Sequence, residues 1–95
     1  SECLAPGPEF ISAHQTVEPG VWYIVDTSNG NVNLNMKGTD FCANQSFTVT
    51  KNDPLNEVIL EPSGGPLING ETTKEIRLEN TTVEVMFDGA NFRIV

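Results

Sequence analysis

The stretch that decides the fold is Thr82-Val83-Glu84-Val85-Met86-Phe87-Asp88-Gly89-Ala90-Asn91-Phe92-Arg93-Ile94-Val95. Val83, Val85 and Phe87 alternate with Thr82, Glu84 and Met86. Asp88-Gly89 interrupts the alternation, which resumes with Phe92 and Ile94 set against Asn91 and Arg93. A period of two broken by Asp-Gly predicts a β-hairpin. Parity limits the turn. A two-residue turn at Asp88-Gly89 sets Val85 opposite Phe92, and a four-residue turn sets Phe87 opposite Phe92. Either keeps the apolar set on one face and Glu84 and Arg93 on the other. A three-residue loop would turn Phe92 to the wet face, which a strand with one buried face resists. This hairpin is read as the closing pair of a small all-β domain.

Working back along the chain, Val21-Trp22-Tyr23-Ile24-Val25-Asp26 is a β-branched and aromatic run and predicts a strand. Thr27-Ser28-Asn29-Gly30 supplies turn residues, and Val32, Leu34 and Met36 then alternate with asparagines. These two runs predict a second hairpin. Lys37 to Ala43 reads as a loop. Gln45 to Lys51 alternates, burying Phe47 and Val49, before Asn52-Asp53-Pro54 turns the chain. Glu57 to Glu61 is a short apolar run ended by Pro62-Ser63-Gly64-Gly65-Pro66. Leu67 to Gly70 is a brief strand or turn, and Lys74 to Glu79 alternates with Ile76 and Leu78 inward. Seven to eight short strands result, with turn signals roughly every 8–12 residues. That spacing predicts a small antiparallel β-sandwich or barrel-like domain.

Residues 1–19 carry Pro6, Pro8, Pro19 and Gly7 without a sustained period, and predict an extended arm ahead of a β-domain spanning 20–95. Leu4, Phe10 and Ile11 are the large apolar residues of that arm, so docking on another chain is expected of them.

Ninety-five residues make one domain. Apolar content of 38% is low for a soluble domain, which suggests support from a neighbouring subunit. A net charge of −8 disfavours phosphate backbones and anionic lipid, so neither nucleic acid nor a membrane surface is expected as partner. No apolar run approaches the length of a spanning helix. Ser1-Glu2-Cys3-Leu4-Ala5-Pro6 has neither a basic start nor an apolar core, so synthesis in a cytosol without an export address is expected. Cys3 and Cys42 could form one disulfide or remain thiols; thiols are the default.

Residues that carry chemistry are sparse. His14 is the single histidine and lies in the predicted arm, without the orienting partner that nucleophilic catalysis requires. One histidine and two distant cysteines do not make a zinc site. Glu57, Glu61, Glu75, Glu79 and Glu84 fall on polar strand positions or strand ends, as on a solvated face. Asp26, Asp40, Asp53 and Asp88 lack the spacing of a calcium loop, and Gly64-Gly65 lacks the lysine and helix of a phosphate cradle. No catalytic, metal or cofactor site is therefore expected. Trp22-Tyr23 is the sharpest aromatic pair. Strand alternation predicts one ring buried and the other partly exposed, with core and edge packing as the first reading and a subunit interface or a sugar platform as the alternatives.

The order of these motifs resembles small β-modules of tailed-phage virion proteins. Tyr23-Ile24-Val25-Asp26 leads through a Ser/Gly turn into Val32-Asn33-Leu34, and Phe47-Thr48-Val49-Thr50-Lys51 follows. Ile68-Asn69-Gly70 precedes Ile76-Arg77-Leu78, and the closing phrase Val-x-Val-x-x-Asp-Gly-x-x-aromatic-Arg-Ile runs from Val83 to Ile94. The resemblance spans about Gly20 to Val95. Asn35 stands where such modules commonly have Pro, and Phe92 where they commonly have Trp. The resemblance implies a non-enzymatic structural protein, often trimeric, of the head-decoration (cement), head-fibre or tail-fibre type. A free-standing module with an arm suits a cement protein on the capsid surface of the virion. Its partner would be the major capsid protein, and its contacts would include Leu4, Phe10, Ile11, Trp22 and Tyr23. A receptor- or glycan-binding fibre domain is the alternative.

Overall fold

A computed structural model describes residues 7–95. The domain is all-β, as expected, but the described residues form nine strands, and their two sheets are mixed rather than antiparallel. The strands are β1 (Glu9–Ile11), β2 (Gln15–Thr16), β3 (Trp22–Val25), β4 (Val32–Lys37), β5 (Ser46–Lys51), β6 (Val58–Ser63), β7 (Lys74–Ile76), β8 (Thr82–Phe87) and β9 (Phe92–Ile94). One sheet has the order β1-β3-β5-β8-β9 and the other β2-β4-β6-β7.

The chain passes from one sheet to the other at every step from β1 to β6, and pairs in parallel with the strand two positions earlier. The first six strands are thus three stacked coils. Trp22 pairs with Thr48 and Val32 with Val58, an offset of 26 residues in both sheets. The second and third coils are therefore structural repeats. β7, β8 and β9 then join antiparallel and finish the two sheets.

The expected hairpin from Val21 to Met36 is not formed. β3 and β4 lie in different sheets, and Asp26 to Asn31 is an arch between them. Tyr23 and Val25 on β3 and Val32, Leu34 and Met36 on β4 are all buried between the two sheets, and each run takes its in-sheet partners from the neighbouring coils instead of from the other run. The arch carries its own turn bonds, with Gly30 N–H donating to the Thr27 carbonyl and Ser28 N–H to Asp26 Oδ1. It also stacks on the next arch. The Thr27 hydroxyl donates to the Leu55 carbonyl, and Asn56 Nδ2 donates to the Thr27 carbonyl at 2.8 Å.

The closing hairpin forms as expected. Phe87 lies opposite Phe92 and Val85 opposite Ile94, the register of a four-residue turn. Asp88 Oδ1 accepts from the amides of Ala90 and Asn91, fixing that turn.

The later part of the expected 1–19 arm belongs to the β-domain. β1 and β2 are edge strands of the two sheets, and Val17 is fully buried. Residues 9–17 are thus built into the domain. Proline spacing misled here because edge strands tolerate nearby prolines.

Among the described residues, sixteen apolar ones form the buried core between the sheets. One end is closed by aromatic rings. Phe41 comes from the 38–45 loop and stands edge-on to Phe92 at 5.2 Å, while Phe87 lies 4.9 Å from Phe92. At the other end Lys51, in register with Val25, is fully buried. Its ammonium donates to the carbonyls of Asp53 and Leu55, so the cation closes the core by binding backbone instead of an acid.

Candidate interaction surface

Alternation along β3 sends Tyr23 and Val25 inward and leaves Trp22 and Ile24 on the outer face of the five-stranded sheet. Phe10 of β1 is in register with Ile24 and shares that face. Phe10 is 67% exposed and Trp22 43%, and Ile24 is half-buried. These three residues concentrate apolar side chains at the β1 edge. Beside them the face turns polar with Thr48, Thr50, Thr82 and Glu84.

The polar part holds the indole in place. Trp22 Nε1 donates to Thr50 Oγ1 at 2.9 Å, and Thr50 Oγ1 lies 2.7 Å from Thr82 Oγ1. A hydroxyl that accepts from the indole keeps its own hydrogen for the next threonine, so the chain of bonds is chemically consistent. Further along, the Ser46 hydroxyl donates to Glu84 Oε2 at 2.7 Å.

The other residues expected at an interface fall elsewhere. Tyr23 is a core residue, 1% exposed, with its phenol oxygen accepting from the Glu18 amide at 2.8 Å. Burial pushes its phenol above the ordinary value; the Glu18 bond opposes this, and the Glu9 and Glu18 carboxylates reinforce it. Ile11 packs partly buried against the core. Leu4 and Cys3 lie outside the described residues, and Cys42 is exposed. Ile24 was missed by sequence reasoning, although it shares the parity of Trp22. Phe10 was expected at an interface, but its place beside Ile24 carried no sequence signal, because parallel pairing joins residues distant in the chain.

His14 is exposed, and its Nδ1 accepts from the Asn33 amide at 2.9 Å. The carboxylates mostly serve local partners. Glu57 and Glu75 receive Arg77, and Glu61 Oε1 accepts from Asn33 Nδ2 at 2.8 Å. Among the described residues no three His, Cys, Asp or Glu side chains gather as metal ligands. The chain matches no family model and no curated protein.

Proposed function

We propose that this is a non-enzymatic virion structural protein of a tailed phage, a decoration protein that binds the capsid surface as a trimer. The observation that carries the reading is the apolar β1 edge of the outer face of the five-stranded sheet, formed by Phe10, Trp22 and Ile24. The order of motifs from Gly20 to Val95 adds the resemblance to virion β-modules.

Binding energy is the whole mechanism. Covering a large apolar side chain contributes about 1.5–3 kcal/mol, and association costs at least about 4 kcal/mol before any contact is made. One copy of so small a patch therefore binds weakly. Three linked copies, engaging the capsid lattice together, gain the avidity a lasting attachment needs.

Quantitative mass spectrometry of density-purified particles produced with this gene tests the reading. The expected result is many copies per head, against zero in gene-deleted particles. A glycan-binding fibre role is the second reading, favoured by the Trp22 indole being pre-oriented through Thr50. It predicts that Trp22→Ala removes binding on a glycan array; an array without hits counts against it.

A further inference from the structure

The loops at one end of the sandwich enclose a cleft of about 440 Å³, away from the sheet face described above. Half of the chain's eight glycines line it: Gly38, Gly64, Gly65 and Gly89. Gly38 is required by a close approach, since a Cβ there would lie 2.7 Å from Pro66 Cγ. Gly64 and Gly65 hold φ of +85° and +118°, conformations that side chains strongly disfavour. Glycine walls leave both room and accessible peptide groups. Phe87, Pro66 and Ala90 supply apolar surface, and Thr39 and Ser63 supply hydroxyls.

The cleft also holds an unusual cation. The chain has five Lys and Arg residues. Lys74 pairs with Glu71, Arg77 with Glu57 and Glu75, and Arg93 with Asp88, while Lys51 is buried on carbonyls. Among the described residues no carboxylate lies within ion-pair distance of Lys37, which lines the cleft. In a chain of net charge −8, a lysine beside a cavity with no carboxylate partner among the described residues marks a place for a negative ligand group. The same net charge selects the ligand's size. A polyanion would be repelled by the whole surface, whereas a single carboxylate meets mainly the local ammonium. The volume lies at the small end of ligand pockets and suits a body of about one ring.

We propose that this cleft binds a small monocarboxylate, with its acid group on Lys37 and its ring against Phe87 and Pro66. Amide NMR of the full chain, titrated separately with benzoate, glucuronate and acetate, tests the proposal. Benzoate or glucuronate should saturably shift the amides of Lys37, Thr39, Gly64, Gly65 and Gly89, and whichever binds tighter tells an apolar from a hydroxylated body. Their neutral counterparts, benzamide and glucose, should not. Lys37→Ala should weaken binding about tenfold while Lys37→Arg retains it. Ala90→Leu, which fills the cleft from an exposed turn, should weaken binding with the remaining spectrum native. Shifts that map elsewhere, no shifts from either ring acid, acetate binding as tightly as both, or Lys37→Ala binding unchanged would each overturn it.

Discussion

Trp22 and Thr50 are joined across two parallel strands by a 2.9 Å bond from the indole N–H to the threonine hydroxyl, which itself meets Thr82. Thr50→Val keeps the shape and β-propensity of the site but removes both bonds. Because the residues are partly solvated, the stability loss should be no more than about 1 kcal/mol. The indole should gain motion, seen as faster fluorescence anisotropy decay of the single tryptophan. Unchanged anisotropy would show that packing alone orients the ring.

Lys51 closes one end of the core with a fully buried ammonium bound to backbone carbonyls. Lys51→Met preserves most of the volume and leaves the Asp53 carbonyl without that donor, and Leu55 with only Thr27. A loss of about 1–3 kcal/mol is expected in urea unfolding. A variant as stable as the parent would mean that water replaces the ammonium at no cost.

The hairpin turn titrates through Asp88. The Asn91 amide, the Arg93 guanidinium and the Ala90 amide hold its carboxyl down from 3.8 to about 2. A depressed carboxylate stabilises the fold fully above its unfolded value, and that contribution is lost as pH falls through the folded one. Asp88→Asn keeps one oxygen for the amides and removes the charge facing Arg93. Its stability deficit against the parent should be constant from neutral pH to about pH 4, and should shrink between there and about pH 2. A deficit independent of pH across that window would assign the effect to geometry instead of charge.

Val17 is fully buried, and β1 and β2 border the two sheets. Removing residues 1–6 should leave the fold intact, whereas removing residues 1–18 deletes both strands and should yield a chain without a cooperative thermal transition. Val17→Ala alone should cost about 2 kcal/mol. A folded 19–95 fragment would contradict the role given to the first coil.

The strands were largely legible, because alternation in Val83–Phe87, Val32–Met36 and Phe47–Val49 reports a buried face directly. Their pairing was not. Asn29-Gly30 has hairpin residues, yet it sits in a six-residue arch, and the alternation of β3 and β4 reads the same whether they pair side by side or face each other. The 26-residue repeat was hidden because the outward residues differ between coils: Trp22 stacks on Thr48, and Asn33 on Ile59. Lys51 shares the parity of Phe47 and Val49, but only the arch carbonyls that receive it make an inward lysine tolerable. The exposed patch was half legible, through Trp22 and Phe10; Ile24 joined it only once parallel register was known.

Attachment through the Phe10, Trp22 and Ile24 face is tested most directly by co-sedimentation with heads purified from a mutant lacking the gene. The parent protein should sediment with those heads at a saturating copy number. Phe10→Asp/Trp22→Asp, folded by its amide spectrum, should stay in the supernatant. Equal sedimentation of parent and variant, or a parent that never sediments, would contradict the assignment of that face.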